Sequence, residues 1–223
     1  MSKSIELTAA DGHRFAAYRA DPPGKPRGAL VVIQEIFGVN HHMRGVTDGF
    51  AAQGYLTICP ALFDRSKRGI ELGYDETSIA AGREVRGAVG DDGPLADIQA
   101  TINEAAKSGG KVGVVGYCWG GYLAYLSATR LTGVAAAVGY YGGGIAAKAS
   151  EKTKVPVMLH FGDQDHAIPL SDVDKVRAAH PEITIHVYQA GHGFNCDERG
   201  SYDVEAAKVA LERTLAFFRQ HIR

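Results

Sequence analysis

Residues 29–33 (Ala-Leu-Val-Val-Ile) are apolar throughout, and residues 55–59 form a second such run that stops at Pro60. Short runs without alternation suit strands that are covered on both faces, as in a parallel sheet. Residues 112–115, 134–140, 155–161 and 183–188 read as further strands, and the alanines and glycine of 134–140 imply close packing. Residues 5–7 and 15–18 predict an opening hairpin around Asp11-Gly12, a turn dipeptide. Between the strands the period changes. Met43, Val46, Phe50 and Ala51 share a face of a helix over 42–53, and Leu95, Ile98, Ile102 and Ala105 mark another. Helices are also expected over 122–129, 171–180 and 204–218, the last carrying Val209, Leu211, Leu215 and Phe218. The stretch between Pro60 and Leu95 reads as a long loop rich in charge and glycine. Alternating strands and helices predict an α/β protein with a mostly parallel sheet and helices on both faces. With no repeat or linker in view, residues 1–223 are expected to form one domain.

Composition narrows the functions. A chain of 223 residues with 45% hydrophobic and 22% charged residues is that of an ordinary globule. A formal net charge of −1 offers no footprint for nucleic acid or for an anionic membrane. No apolar run approaches a membrane span, and positions 1–6 lack the apolar core of a signal peptide. Three cysteines (Cys59, Cys118 and Cys196) without a pairing pattern point to a reducing compartment, and so to a cytoplasmic protein. The adjacent pair His41-His42 and the isolated pair His192 and Cys196 show no metal-site spacing. Neither a metal nor a cofactor is expected, and the sequence carries no sign of oligomeric state.

The chemistry concentrates at Gly116-Tyr117-Cys118-Trp119-Gly120-Gly121, which follows the strand at 112–115 and opens a helix. This is the pattern of a nucleophile elbow with cysteine in place of serine. Its backbone is strained, so the flanking positions favour residues without a Cβ. The bland alternative is a buried cysteine in a glycine-rich turn. Two later loops argue against it: Gly162-Asp163-Gln164-Asp165-His166 after 155–161, and Ala190-Gly191-His192-Gly193-Phe194 after 183–188. The chain order nucleophile, acid, histidine is that of α/β-hydrolases. His192 is the candidate base and Asp165 the better of two candidate orienters, since Asp163 directly follows a glycine in a turn. His166 is a rival base only if Asp163 is the acid, while His13, His180 and His221 read as surface histidines. At the end of the first apolar run, Glu35 is either a solvent-facing carboxylate or a buried one set over the elbow. The N–H groups of Ile36 and Trp119 are the candidate oxyanion donors, and Phe37, Tyr141 and Phe194 the candidate substrate contacts.

With these residues in place the chain resembles the dienelactone hydrolase (carboxymethylenebutenolidase) family of α/β-hydrolases. The likeness rests on Gln-Glu-Ile-Phe-Gly-Val-Asn at 34–40, the elbow at 116–121, Gln-Asp-His-Ala-Ile-Pro at 164–169 and Ala-Gly-His-Gly-Phe at 190–194. It implies an α/β-hydrolase fold with an eight-stranded sheet and a triad of Cys118, His192 and Asp165. It also implies a resting state in which Glu35 bonds a neutral Cys118 thiol, and substrate then moves the glutamate so that it helps deprotonate the thiol. A thiol ester follows from attack on a lactone or small ester, and water activated by His192 hydrolyses it. The family's namesake substrate bears a carboxylate held by arginines, one of them four residues after the histidine. Cys196 stands at that position here, with Arg199 the nearest downstream arginine and Arg83 and Arg86 the nearest upstream ones. The resemblance therefore implies a small-molecule ester or lactone substrate without fixing dienelactone. The runners-up are a carboxylesterase or thioesterase for an unrelated acyl group, and a non-catalytic binding module on the same fold.

Overall fold

The computed structural model describes residues 1–108 and 110–222. Its strands are β1 (Ser2–Thr8), β2 (Arg14–Ala20), β3 (Ala29–Ile33), β4 (Leu56–Pro60), β5 (Val112–Tyr117), β6 (Val134–Tyr140), β7 (Val157–Gly162) and β8 (Thr184–Tyr188). They form one eight-stranded sheet in the order β1-β2-β4-β3-β5-β6-β7-β8. The β1–β2 and β2–β4 pairings are antiparallel, and every pairing from β4 to β8 is parallel. The fully apolar runs became the sheet centre: every residue of β3, β4, β5 and β7 is buried.

The helices are α1 (His41–Ala52), α2 (Glu76–Val89), α3 (Asp92–Ala106), α4 (Trp119–Arg130), α5 (Leu170–Ala179) and α6 (Val204–His221). α1 and α6 share one layer, where Phe50 meets Phe218 at 6.4 Å, while α3 and α4 pack against β3, β5 and β6 on the other. The strand order reverses at β3, which lies between β4 and β5. In open α/β sheets the crevice at such a point, beyond the carboxyl ends of the strands, is where ligands bind. Register places Ile33 beside Gly116, so the segment after β3 and the turn after β5 emerge together.

Three sequence expectations need correction. The stretch read as a loop before Leu95 contains α2. Its only fully buried residue is Gly82; Ile79, Val85 and Val89 are half-buried against the core, and its cap, Asp75, accepts from the Ser78 N–H at 2.9 Å. α4 starts at Trp119 rather than near Tyr122, because Gly120 and Gly121 form its first turn beneath the cysteine. His180 is no surface histidine: it is 3% exposed and lies 3.0 Å from the Tyr125 hydroxyl. The remaining boundaries agree to within three residues.

The glycines around Cys118 are required by close backbone approach. A Cβ on Gly116 would collide with the carbonyl of Gly120, and one on Gly120 with the carbonyls of Ile33 and Gln34. Backbone atoms cannot rotate away, so Gly120→Ala should cost ~1–3 kcal/mol of stability in urea unfolding. A midpoint unchanged from the wild type would show that the β3 and β5 ends can separate at little cost.

Candidate active site

Cys118 sits between β5 and α4 with φ 54° and ψ −117°, one of two non-glycine residues with positive φ among those described. Its N–H donates to the Tyr140 carbonyl at 3.0 Å, and its carbonyl accepts from Gly121 and Tyr122 at 3.0 and 3.2 Å. These bonds hold the strained residue against relaxation and turn its side chain outward. Cys118 is half-buried, whereas Cys59 and Cys196 are buried.

The loop after β8 brings His192 onto it. Nε2 of His192 lies 3.2 Å from Sγ of Cys118, and Nδ1 lies 2.7 Å from Oδ2 of Asp165. The other oxygen of Asp165 accepts the Ala167 N–H at 2.8 Å, which fixes the carboxylate in its loop. Asp165 is buried and bonded to His192, while Asp163 is exposed in the turn before it. Ser201 adds a support that the sequence did not signal: its hydroxyl donates to the His192 carbonyl at 2.7 Å. Burial of the imidazole works against its charge, but the hydrogen bonds to Asp165 and Cys118 outweigh it and raise the pKa to about 10.

This ordered contact of thiol, imidazole and carboxylate stands on a chain whose residues 15–222 match the family model described as the dienelactone hydrolase family. The chain belongs to the dienelactone hydrolase family. It is 36% identical to the carboxymethylenebutenolidase of Pseudomonas putida, with 97% of this chain and 96% of that one covered. It is 34% identical to that of Pseudomonas sp. strain P51, covering 99% and 96%. A Klebsiella pneumoniae crystal structure, provisionally named a dienelactone hydrolase, superposes with a TM-score of 0.87 at 32% identity over 99% of both chains. The protein is thus a dienelactone hydrolase-like hydrolase on the α/β-hydrolase fold.

Glu35 departs from the expected resting arrangement of the family. It is fully buried, but no hydrogen bond joins it to Cys118, and both of its carboxylate oxygens lack a hydrogen-bond partner. Oε1 instead lies 3.6 Å from Nη1 of Arg199. The cause is a competition on both sides: His192 occupies the thiol, and the nearby guanidinium draws the carboxylate. Arg199 stacks 5.8 Å over the rings of both Phe37 and Tyr74. Gly193 makes room for it, since a Cβ there would stand 2.7 Å from Nη1. So Arg199, and not Arg83 or Arg86, enters the site; the latter two are exposed on α2.

Ile36 follows β3 and Trp119 opens α4, and α2 braces the first, because Gly82 packs directly on the Ile36 carbonyl. Phe37, Tyr141 and Phe194 are each at most 1% exposed. Phe194 is packed among Tyr140, Tyr141 and Tyr188, a core position rather than a ligand face. Tyr141 meets the His192 ring edge-on at 5.1 Å and its hydroxyl has no partner, as is also true of Trp119 Nε1. A cleft of 520 Å³ between residues 73–75 and 198–201 opens on the outer side of Arg199.

The His192 pKa carries a testable sign. Because it is raised above ~6.5 in the folded chain, the stability this charge contributes is complete below ~6.5 and is lost as pH climbs toward about 10. Ring NMR titration should find the His192 midpoint well above the usual range, with Asp165→Asn bringing it down. A wild-type midpoint near ~6.5 would mean that the Asp165 bond does not hold in solution.

Proposed function

We propose that the protein hydrolyses lactones or small carboxylic esters through a thiol ester on Cys118. The observation that carries this reading is the His192 ring bridging Asp165 and Cys118 at 2.7 and 3.2 Å. A thiol attacks well only when a base takes its proton, and an imidazole with a raised pKa is the stronger acceptor. In the first step the Cys118 sulfur, whose proton His192 holds, bonds the carbonyl carbon. Charge gathers on the carbonyl oxygen, where the Ile36 and Trp119 N–H groups are the proposed donors. Collapse of that intermediate expels the alkoxide, which takes the proton from His192; in a lactone it stays tethered as the hydroxyl of the ring-opened acyl group. Water then gives a proton to His192 and attacks the thiol-ester carbon; the C–S bond breaks, the proton on His192 returns to the Cys118 sulfur, and the acid leaves.

Arg199 supports a substrate that carries an anion. Its guanidinium is only loosely matched to Glu35, at 3.6 Å, and a substrate carboxylate is a closer bidentate partner. A carboxylate bound there would release Glu35 from its ion pair. The released Glu35 is proposed to assist deprotonation of the Cys118 thiol. Three free cysteines support a cytoplasmic setting for this chemistry, and no helix among the described residues is long and apolar enough to cross a membrane.

The test is direct. Cys118→Ala should abolish hydrolysis of p-nitrophenyl acetate and of a lactone panel, and His192→Ala should lower kcat on the order of 10⁴-fold. Quenching the wild type during turnover should show Cys118 carrying the acyl mass. Persistent turnover in pure Cys118→Ala would overturn the nucleophile.

For the substrate, Arg199→Met should raise KM for carboxylate-bearing lactones by at least ~10-fold while changing neutral esters little. Equal effects on both classes would remove the anion from the proposal.

A further inference from the structure

Glu35 meets two other buried side chains that ester chemistry leaves unused. A carboxylate oxygen of Glu35, a ring nitrogen of His42 and Sγ of Cys196 lie within 4.8 Å of one another, and all three residues are buried. Both oxygens of Glu35 and Nε2 of His42 are without hydrogen-bond partners. A buried polar atom left in that condition is costly, and a charged one more so, so such atoms are rare singly. Their convergence on a sulfur describes a donor set. His42 is also oriented from behind, with Nδ1 2.9 Å from Oδ1 of Asp197. A carboxylate on one ring nitrogen fixes the tautomer and turns the lone pair of the other nitrogen outward, as ligating histidines require.

We propose that Glu35, His42 and Cys196 form a binding site for a thiophilic divalent cation of the zinc class. One sulfur, one imidazole nitrogen and one carboxylate oxygen suit zinc(II) or cobalt(II), whereas magnesium and calcium take oxygen donors. On binding, the Cys196 S–H bond breaks, its proton leaves to water and the sulfur bonds the cation. His42 and Glu35 each contribute a lone pair, and no electron is transferred. The Arg199 guanidinium, 3.6 Å from Glu35, is the counter-charge that such a cation would replace. Because Glu35 is shared with the proposed ester chemistry, occupancy should also slow turnover; that consequence rests on the functional reading, but the site itself does not.

The probe is cobalt(II) added to the full chain, read by the thiolate-to-cobalt charge-transfer band. The band should saturate in the wild type, persist in Cys118→Ala and vanish in Cys196→Ser. Asp197 is an exposed position, so Asp197→Asn should fold normally and weaken binding by about 10- to 100-fold. His42→Gln gives the same reading should Cys196→Ser fail to fold. Absence of the band in the wild type, or its survival in Cys196→Ser, overturns the site. Cys118→Ala separates the two proposals, since it removes the proposed ester chemistry and leaves the three donors in place.

Discussion

The rest of the site depends on a single backbone conformation, that of Cys118. At φ 54° a residue with a side chain costs ~1–3 kcal/mol, and it persists only where its surroundings leave no alternative. Here the surroundings are backbone. The Tyr140 carbonyl takes the Cys118 N–H, and the first turn of α4 takes its carbonyl. The carbonyls of Ile33, Gln34 and Gly120 stand where larger residues at 116 and 120 would place their Cβ atoms. The strain that turns the thiol outward is therefore carried by the middle of the sheet, between β3 and β6, the best-buried part of the molecule.

The second constraint is a buried charge. Glu35 is removed from water at the end of β3, and its counter-charge arrives from the far side of the sheet on the segment that follows β8. Arg199 reaches it by lying across Phe37 and Tyr74, whose ring faces favour a cation. In a medium of low polarity an attraction at 3.6 Å is felt more strongly than it would be in water. This ion pair ties the segment carrying Ile36 to the loop carrying His192, so the candidate oxyanion donor and the candidate base are positioned against one another through charge as well as through the strands.

What the sequence revealed follows from which forces are local. The buried strands were legible because an uninterrupted apolar run has few other uses. The elbow and the two loops were legible because Gly116, Cys118, Asp165 and His192 stand at strand ends in a recognisable order. α2 was not, since its apolar face is only Ile79, Val85 and Val89, half-buried and set among charged residues and glycines. Nor was the partner of Glu35. Residues 35 and 199 are joined only by the closing of the sheet, and Arg199 sits three positions past the place where a family pattern looks for it. His180 misled for a similar reason: its burial comes from Tyr125 on α4, a neighbour that no local pattern announces.

The unequal burial of the three thiols has a consequence for how this protein ages. Burial raises the pKa of Cys59 to about 12, and burial together with Glu35 does the same for Cys196. Both are shielded from peroxide, which attacks the deprotonated, accessible form of sulfur. Cys118 is half-buried and has a proton acceptor at 3.2 Å. Oxidative damage is thereby directed to the one sulfur that the fold turns outward, and its first product, a sulfenic acid, is one that cellular thiols can reduce. Under the proposed chemistry the chain would lose activity at that step with its core intact, and would regain it without refolding.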